Sequence, residues 1–385
     1  MNLPLPHSLH VEKPTGDHNA GLWYDKFFNG WDKMLTDEIL TQVSDGNKAD
    51  WVGHSARKYG EQSTLSEQYE RLRNLVTARG GHVLYFKTDG RFVTGLGRQH
   101  PVENGFTWHH ALGMPYLPGA SLKGVLRAWT REQKVEEAVR ERIFGPDDHR
   151  TAGIGSVIFF DAIPPEPVRL QADVMTPHYG PYYQDKQAKT PPADWHDPVP
   201  IPFLVVADAQ TFVFALAPRR VNHPRDSQDC ETVAQWLEGA LAWLGAGAKT
   251  AVGYGRFNLD HAATMAAAEE QRQVQEKRER EAVLVARVRN LSSLAQELEC
   301  EIDSRRLDTD KNAFSAPPFI EDWLERLETV PTPDATSRFS GLVEKHFPGL
   351  LQNPNKTKGK HKEYVFKDRQ RRIAERLLIL NDKQL

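Results

Sequence analysis

The apolar positions along the chain already outline its elements. From Leu65 to Ala78, the residues Leu65, Tyr69, Leu72 and Val76 recur at helical spacing, and Gly80-Gly81 closes the run. The alternating segment His82-Val83-Leu84-Tyr85-Phe86-Lys87 predicts a strand, which Arg91-Phe92-Val93-Thr94 continues or folds back on as a hairpin. Leu117-Pro118-Gly119-Ala120-Ser121 opens a helix with Leu122, Val125, Leu126 and Trp129 on its apolar face, running on with a break to Ile143. Ser156 to Ala162 is β-rich. So are Phe203 to Val206 and Thr211 to Leu216, split by the turn-like Ala207-Asp208-Ala209-Gln210. Val233 to Leu244 predicts a second helix, and Arg256-Phe257-Asn258-Leu259 a last short strand.

Taken in order, residues 82–260 run strand, helix, strand, strand, helix, strand. This is the ferredoxin-like (RRM-like) βαββαβ order of an α+β fold. Its helices are expected on one sheet face, leaving the other for a ligand. Residues 170–202, rich in proline, tyrosine and histidine, read as a long loop insertion in this core. Residues 1–81 read as an N-terminal helical and irregular segment carrying Trp23, Tyr24, Phe27, Phe28 and Trp31. Residues 261–385 read as a C-terminal helical appendage. It opens with a long helix, Met265 to Arg289, and a heptad-like seam of Leu284, Val288, Leu291, Ala295 and Leu298. Further helices are expected at Phe319 to Leu327, Phe339 to His346 and Tyr364 to Leu380. The seam needs an apolar cover, either the appendage's own Trp323, Leu324, Leu327, Leu377 and Leu380 or an accessory protein.

Composition removes several function classes. No apolar run approaches the roughly 20 residues of a membrane span, and the first residues lack a leader pattern. A cytoplasmic protein without membrane contact is expected. Cys230 and Cys300 have no metal-type spacing, and neither a metal nor a cofactor is expected. The 49 basic and 52 acidic residues argue against nucleic-acid binding by overall charge, but leave room for a local basic surface. One such run is Lys356 to Arg376, with nine basic residues against three acidic, which reads equally as an RNA contact or a solvated helix.

Three stretches have phosphate chemistry. In Thr94-Gly95-Leu96-Gly97-Arg98-Gln99-His100, Gly95 and Gly97 permit close backbone approach, with Arg98 and His100 as phosphate or base partners. His100 stands where a dinucleotide fingerprint needs its third glycine, and an ordinary hairpin turn has the same residues. In Gly119-Ala120-Ser121-Leu122-Lys123-Gly124-Val125-Leu126-Arg127, a helix start offers N–H groups beside Ser121, Lys123 and Arg127. A capped helix with solvated charges fits as well. The run Gly245 to Phe257 carries Gly247, Lys249, Thr250, Tyr254, Gly255 and Arg256, suiting a backbone that wraps phosphates with Tyr254 stacking on a base. Trp243 and Ala248 break the nucleotide P-loop pattern, which excludes an NTPase of that type. His100, His109, His110, His178 and His196 include no triad, so structural or RNA-contacting roles are favoured over a general base. Asp147, Asp148 and Asp173 read as surface acids before metal ligands.

Together the three stretches resemble the RAMP superfamily of CRISPR proteins, whose mark is a glycine-rich loop and strand late in a ferredoxin-like core. The nearer resemblance is to the sixth RAMP subunit of the type III-B (Cmr) effector. It rests on Thr94 to Gly97, His100 to Phe106, Gly113 to Gly124, Phe159 to Ala162 and Asp173 to Tyr179, in order and spacing. The resemblance implies a structural, non-enzymatic subunit at the end of the effector backbone that holds the 3′ part of the guide RNA (crRNA). Other RAMP subunits would be its neighbours, and target RNA would be cleaved elsewhere in the complex. It implies that the insertion, with His178 and Tyr179, reaches guide and target. Two rivals remain at this stage: an endoribonuclease that processes guide RNA, and a scaffold whose appendage recruits an accessory protein.

Overall fold

The computed structural model describes residues 19–30, 43–147, 152–187, 189–330, 332–358, 363–364 and 366–382. Trp31 and Asp148 lie outside the described residues. The chain divides into two compact units, Met1–Gln271 and Arg272–Leu385. The composition of the chain suggests a break at 260/261 and sets residues 1–81 apart. Contacts instead place the break within a helix and fold the N-terminal segment into the first unit.

The first unit opens with helices α1 (Ala20–Lys26), α2 (Asp45–Ser55) and α3 (Gln62–Ala78), with the two-residue strand β1 (Lys58–Tyr59) before α3. Strand β2 (His82–Asp89) follows, then the short hairpin β3 (Trp108–His109) and β4 (Met114–Pro115). Next come α4 (Gly119–Glu132), α5 (Glu137–Phe144), β5 (Val157–Phe159), β6 (Val168–Met175), a short α6 (Gly180–Gln184), β7 (Ile201–Val206) and β8 (Thr211–Pro218). Helix α7 (Pro224–Trp243) and β9 (Arg256–Leu259) complete the core, and α8 (His261–Val288) carries the chain past Gln271.

The main sheet is antiparallel, in the order β5-β8-β2-β9. On one face Phe86, Phe212, Phe214, Leu216 and Phe257 pack with Leu122 and Leu126 of α4 and Cys230, Val233, Leu237 and Leu241 of α7. The opposite face, expected to be open, is covered. Val83, Val213 and Ala215 pack there against Leu72 and Val76 of α3. Burial on both faces accounts for the unbroken apolar run of β8, in which every residue after Thr211 is buried.

The two β-rich pieces at 203–216 belong to different sheets. β8 enters the main sheet, while β7 pairs with β6 and β6 with β1 in a second antiparallel sheet. The expected loop 170–202 is therefore corrected: its first residues belong to β6, and the insertion shrinks to 176–200. β6 escapes a reading of apolar runs because Arg169, Gln171 and Asp173 interrupt it, and among its residues only Val168 and Leu170 are buried. Arg91 to Thr94 form no strand of their own. Phe92 exchanges backbone hydrogen bonds with Val206 at 3.0 and 2.7 Å, tying this segment to β7.

The second unit has its own core. α9 (Ser293–Arg305), α10 (Lys311–Ser315), α11 (Phe319–Thr329), α12 (Pro333–His346) and α13 (Asp368–Asp382) bury Leu298, Ile302, Phe314, Trp323, Leu324, Leu327, Phe339, Leu377 and Leu380 together. The helices α9 to α13 thus cover their own apolar stripes, while Leu284 and Val288 of α8 are outside this core. The continuous seam is corrected: α8 ends at Val288, a turn follows, and Ser292 caps α9 by accepting from the Ala295 N–H. The basic run is partly paired within the unit. Arg369 and Arg376 pair with Glu321 and Glu328, and Arg371 with Asp368, while Lys360 and Lys362 lie outside the described residues. Among the described residues, no helix is long and apolar enough to cross a membrane.

Candidate nucleic-acid interface

The glycine-rich turn after α7 is a stiff frame. Gly245, Gly247, Gly253 and Gly255 all have positive φ, and so does Lys249 at 59°. At Gly247 a Cβ would sit 2.3 Å from the Val93 carbonyl oxygen, and at Gly255 1.9 Å from that of Ala246. Only glycine tolerates both the dihedral and the approach. The N–H groups of Ala246, Ala248 and Gly255 donate to Gly255, Val93 and Arg91, each at 2.8 Å. These donors serve the chain itself, so the turn acts as a mount for side chains more than as an open cradle of N–H groups.

What it mounts is Lys249. Its Nζ lies over two rings, 5.6 Å from the centre of Phe203 and 6.0 Å from that of Tyr254. No carboxylate partners it among the described residues. Tyr254 donates to Asp173 Oδ2 at 2.5 Å, and burial together with this bond pushes its phenol up to about 12. Arg91 pairs with the same carboxylate. Asp173 and Phe203 face each other in the β6–β7 register. The second sheet therefore delivers two side chains, Asp173 and Phe203, that isolated motifs do not connect. Arg256 extends one weak bond, 3.4 Å to the Thr250 carbonyl, and its Nη1 is buried without a partner. Trp243, 72% exposed just ahead of the turn, stands in no motif that marks it as a contact.

The other motifs divide. β2 and β9 pair with Asp89 opposite Arg256, whereas the start of α4 lies beside Phe159, level with Leu216 and His82, so the 94–106 loop and the glycine-rich turn share the Asp89 end of the sheet. Arg98 is exposed there, beside the open Gly97. His100 is not available: its ring stacks on Tyr24 at 4.4 Å, Nε2 donates to the Tyr24 carbonyl, and Nδ1 accepts from the Val102 N–H. Burial lowers its pKa, consistent with a neutral structural ring. At the α4 start the Gly119 N–H donates to Asp161 at 2.7 Å, so a carboxylate of the chain already occupies the helix end. Gly119 itself is required because a Cβ would meet the Phe159 carbonyl. Ser121 is exposed. Lys123 keeps no acidic partner among the described residues, and burial, then repulsion from Arg127, holds its ammonium below the ordinary lysine range. Arg127 is structural, bound to Asp147 at 2.7 Å and to the Gly145 carbonyl, over the ring of Phe144.

In the insertion, His178 approaches the His196 carbonyl at 3.4 Å and Tyr179 donates to Asp194. Both serve to order the loop. No group of three or more His, Cys, Asp or Glu suited to a metal occurs among the described residues.

Residues 85–258, which span this interface, match the model of the RAMP superfamily. The Cmr6 subunit of a Pyrococcus furiosus CRISPR Cmr system is 32% identical over 235 residues, 45% of this chain and 66% of that one. The crystal structure of Cmr6 from Pyrococcus furiosus is 30% identical, covering 46% of this chain and 97% of that chain, with a TM-score of 0.30.

The chain belongs to the RAMP superfamily.

Within it, the chain resembles the sixth RAMP subunit of type III-B Cmr systems. A Cmr6 subunit from Saccharolobus solfataricus is 28% identical over 219 residues, 55% of this chain and 69% of that one. The chain thus spans about two thirds of the length of both curated relatives. The RAMP match ends at Asn258, so α8 and the second unit lie beyond it.

Proposed function

We propose that this RAMP protein is a structural subunit of a type III-B CRISPR effector that binds guide RNA at the 3′ end of the effector backbone. It would contribute binding and leave cleavage to other subunits. Its neighbours would be further RAMP subunits, with target RNA paired to the guide. The core is read as ferredoxin-like, since β2, α4, β5, β8, α7 and β9 follow the βαββαβ order. The observation that carries the reading is Lys249, a cation without an acid partner among the described residues, held over Phe203 and Tyr254 on a turn that only glycines can build. Such a side chain serves any phosphate and reads no base, as a subunit for many guides requires. Arg98, Lys123 and Arg256 extend the same chemistry.

The test is filter binding of single-stranded RNA by the full chain and by the triple variant Lys123→Ala, Lys249→Ala, Arg256→Ala across a salt series. Weaker binding with a shallower salt dependence is expected, because each lost phosphate contact removes counterion release. Equal affinity and slope in both proteins would end the reading. Metal-independent cleavage of repeat RNA by the purified chain would replace it with guide processing.

A further inference from the structure

We propose that Asp173 is a positioning residue that sets how many cations the interface presents, withdrawing Arg91 and leaving Lys249 to face the RNA. This rests on the reading of the surface as an RNA site and adds a carboxylate that tunes it.

The geometry is a single acid shared among three groups. Oδ2 of Asp173 accepts from the Tyr254 hydroxyl and from Arg91 Nη1, while Oδ1 accepts from the Val174 N–H at 2.9 Å. The acid is largely enclosed, its side chain 13% exposed against 49% for Arg91. Tyr254 touches both cations: the Arg91 guanidinium lies 5.9 Å from its ring centre and the Lys249 ammonium 6.0 Å. Both cations are fixed to the same frame, since the Arg91 carbonyl accepts from Gly255 within the turn that carries Lys249. Two like charges on one ring would repel, and a carboxylate beside one of them decides which is neutralised. Asp173 takes Arg91. Its place on β6 opposite Phe203 also brings the second sheet's aromatic seat beneath Lys249.

Removing the negative charge while keeping an acceptor separates this role from scaffolding. Asp173→Asn preserves an oxygen for the Tyr254 hydroxyl and releases Arg91. The full chain is measured by fluorescence anisotropy with a uniform single-stranded RNA over a salt series, with thermal unfolding in parallel. Asp173→Asn is expected to bind several-fold more tightly, with a log–log salt slope steeper by about 0.7, one additional single-strand phosphate. Adding Arg91→Gln to it should return the slope to the wild-type value. Arg91→Gln alone, at an exposed position, should bind more weakly, because Asp173 then faces Lys249 unmasked. A merely structural Asp173 predicts the opposite sign: weaker binding and an unchanged slope in Asp173→Asn, with no effect of Arg91→Gln. That result overturns the proposal, and the Arg91→Gln arm decides alone if Asp173→Asn fails to fold. Lys249→Ala distinguishes the two levels. Unchanged binding there removes the RNA interface and this proposal with it. Weakened binding there, beside inert Asp173 and Arg91 variants, overturns the role of Asp173 only.

Discussion

Arg369 and Glu321 meet through two parallel hydrogen bonds, Nε to Oε1 at 2.7 Å and Nη2 to Oε2 at 2.9 Å. Seven residues further along both helices, Arg376 and Glu328 repeat the arrangement at 2.6 and 2.7 Å. The separation is 48 residues in each case, so α11 and α13 run parallel where they are clamped. A stretch that reads as a phosphate-binding run is thereby partly spent on internal pairing.

These pairs give the second unit a salt-sensitive component. Both carboxylates are partly exposed, so each pair is expected to contribute only about 0.5 kcal/mol. Glu321→Gln with Glu328→Gln should lower stability by about 1 kcal/mol at low ionic strength. Most of that difference should vanish in about 1 M salt, where screening acts over roughly 3 Å. Denaturant titration at the two salt levels checks this, and a loss independent of salt would point to packing instead.

Asp226 gives the core a pH dependence of known sign. It is fully buried at the start of α7 and accepts from the N–H, Nε and Nη2 of Arg220, which hold its carboxyl down to about 2. A carboxylate so lowered stabilises the fold above the ordinary range near 4, and that contribution is lost as the pH falls through about 2. Asp226→Asn is expected to cost about 2 kcal/mol at pH 7, falling to roughly half by pH 3. A gap that stays constant over this range would show that the ionised state contributes nothing.

The two thiols should differ sharply in reactivity. Cys230 lies on the buried face of α7, and burial, then the charge of Glu231, pushes its thiol up to about 12. Cys300 is exposed. A chromogenic disulfide reagent should therefore label one thiol per native chain and two in denaturant. Rapid labelling of both in the native protein would contradict the packing of α7.

Two glycines of the turn separate backbone strain from steric exclusion. Gly253 has φ of 94° with open space where a methyl group would point, whereas at Gly255 that methyl would lie 1.9 Å from a carbonyl oxygen. Gly253→Ala should cost about 1 kcal/mol through strain alone. Gly255→Ala should cost clearly more and weaken RNA binding as the frame of Lys249 deforms. Thermal unfolding of the two variants side by side tests the order.

Elements whose signal is local were legible in the chain without any coordinates. Helical spacing from Leu65 to Val76, the alternation from His82 to Lys87 and the glycines from Gly245 to Gly255 each state their conformation within a few residues. The motif order from Thr94 to Tyr179 was enough to indicate the superfamily. Whatever depends on partners distant in the chain emerged only in the folded molecule. β6 is legible only beside β7, because Arg169, Gln171 and Asp173 break up its apolar positions and its stability comes from pairing. The free sheet face vanished because α3, a helix outside the βαββαβ count, buries Leu72 and Val76 on it. Charge was the least legible property of all. Arg98, His100, Lys123, Arg127, Lys249 and Arg256 are equivalent candidates in a string of letters. Burial then removes His100, Asp147 claims Arg127, and Asp173 claims Arg91, while Lys123 and Lys249 keep no acid partner among the described residues. An ion pair depends on a few ångströms of separation, and Arg91 and Asp173 meet across 82 positions of chain, a distance that no local pattern encodes.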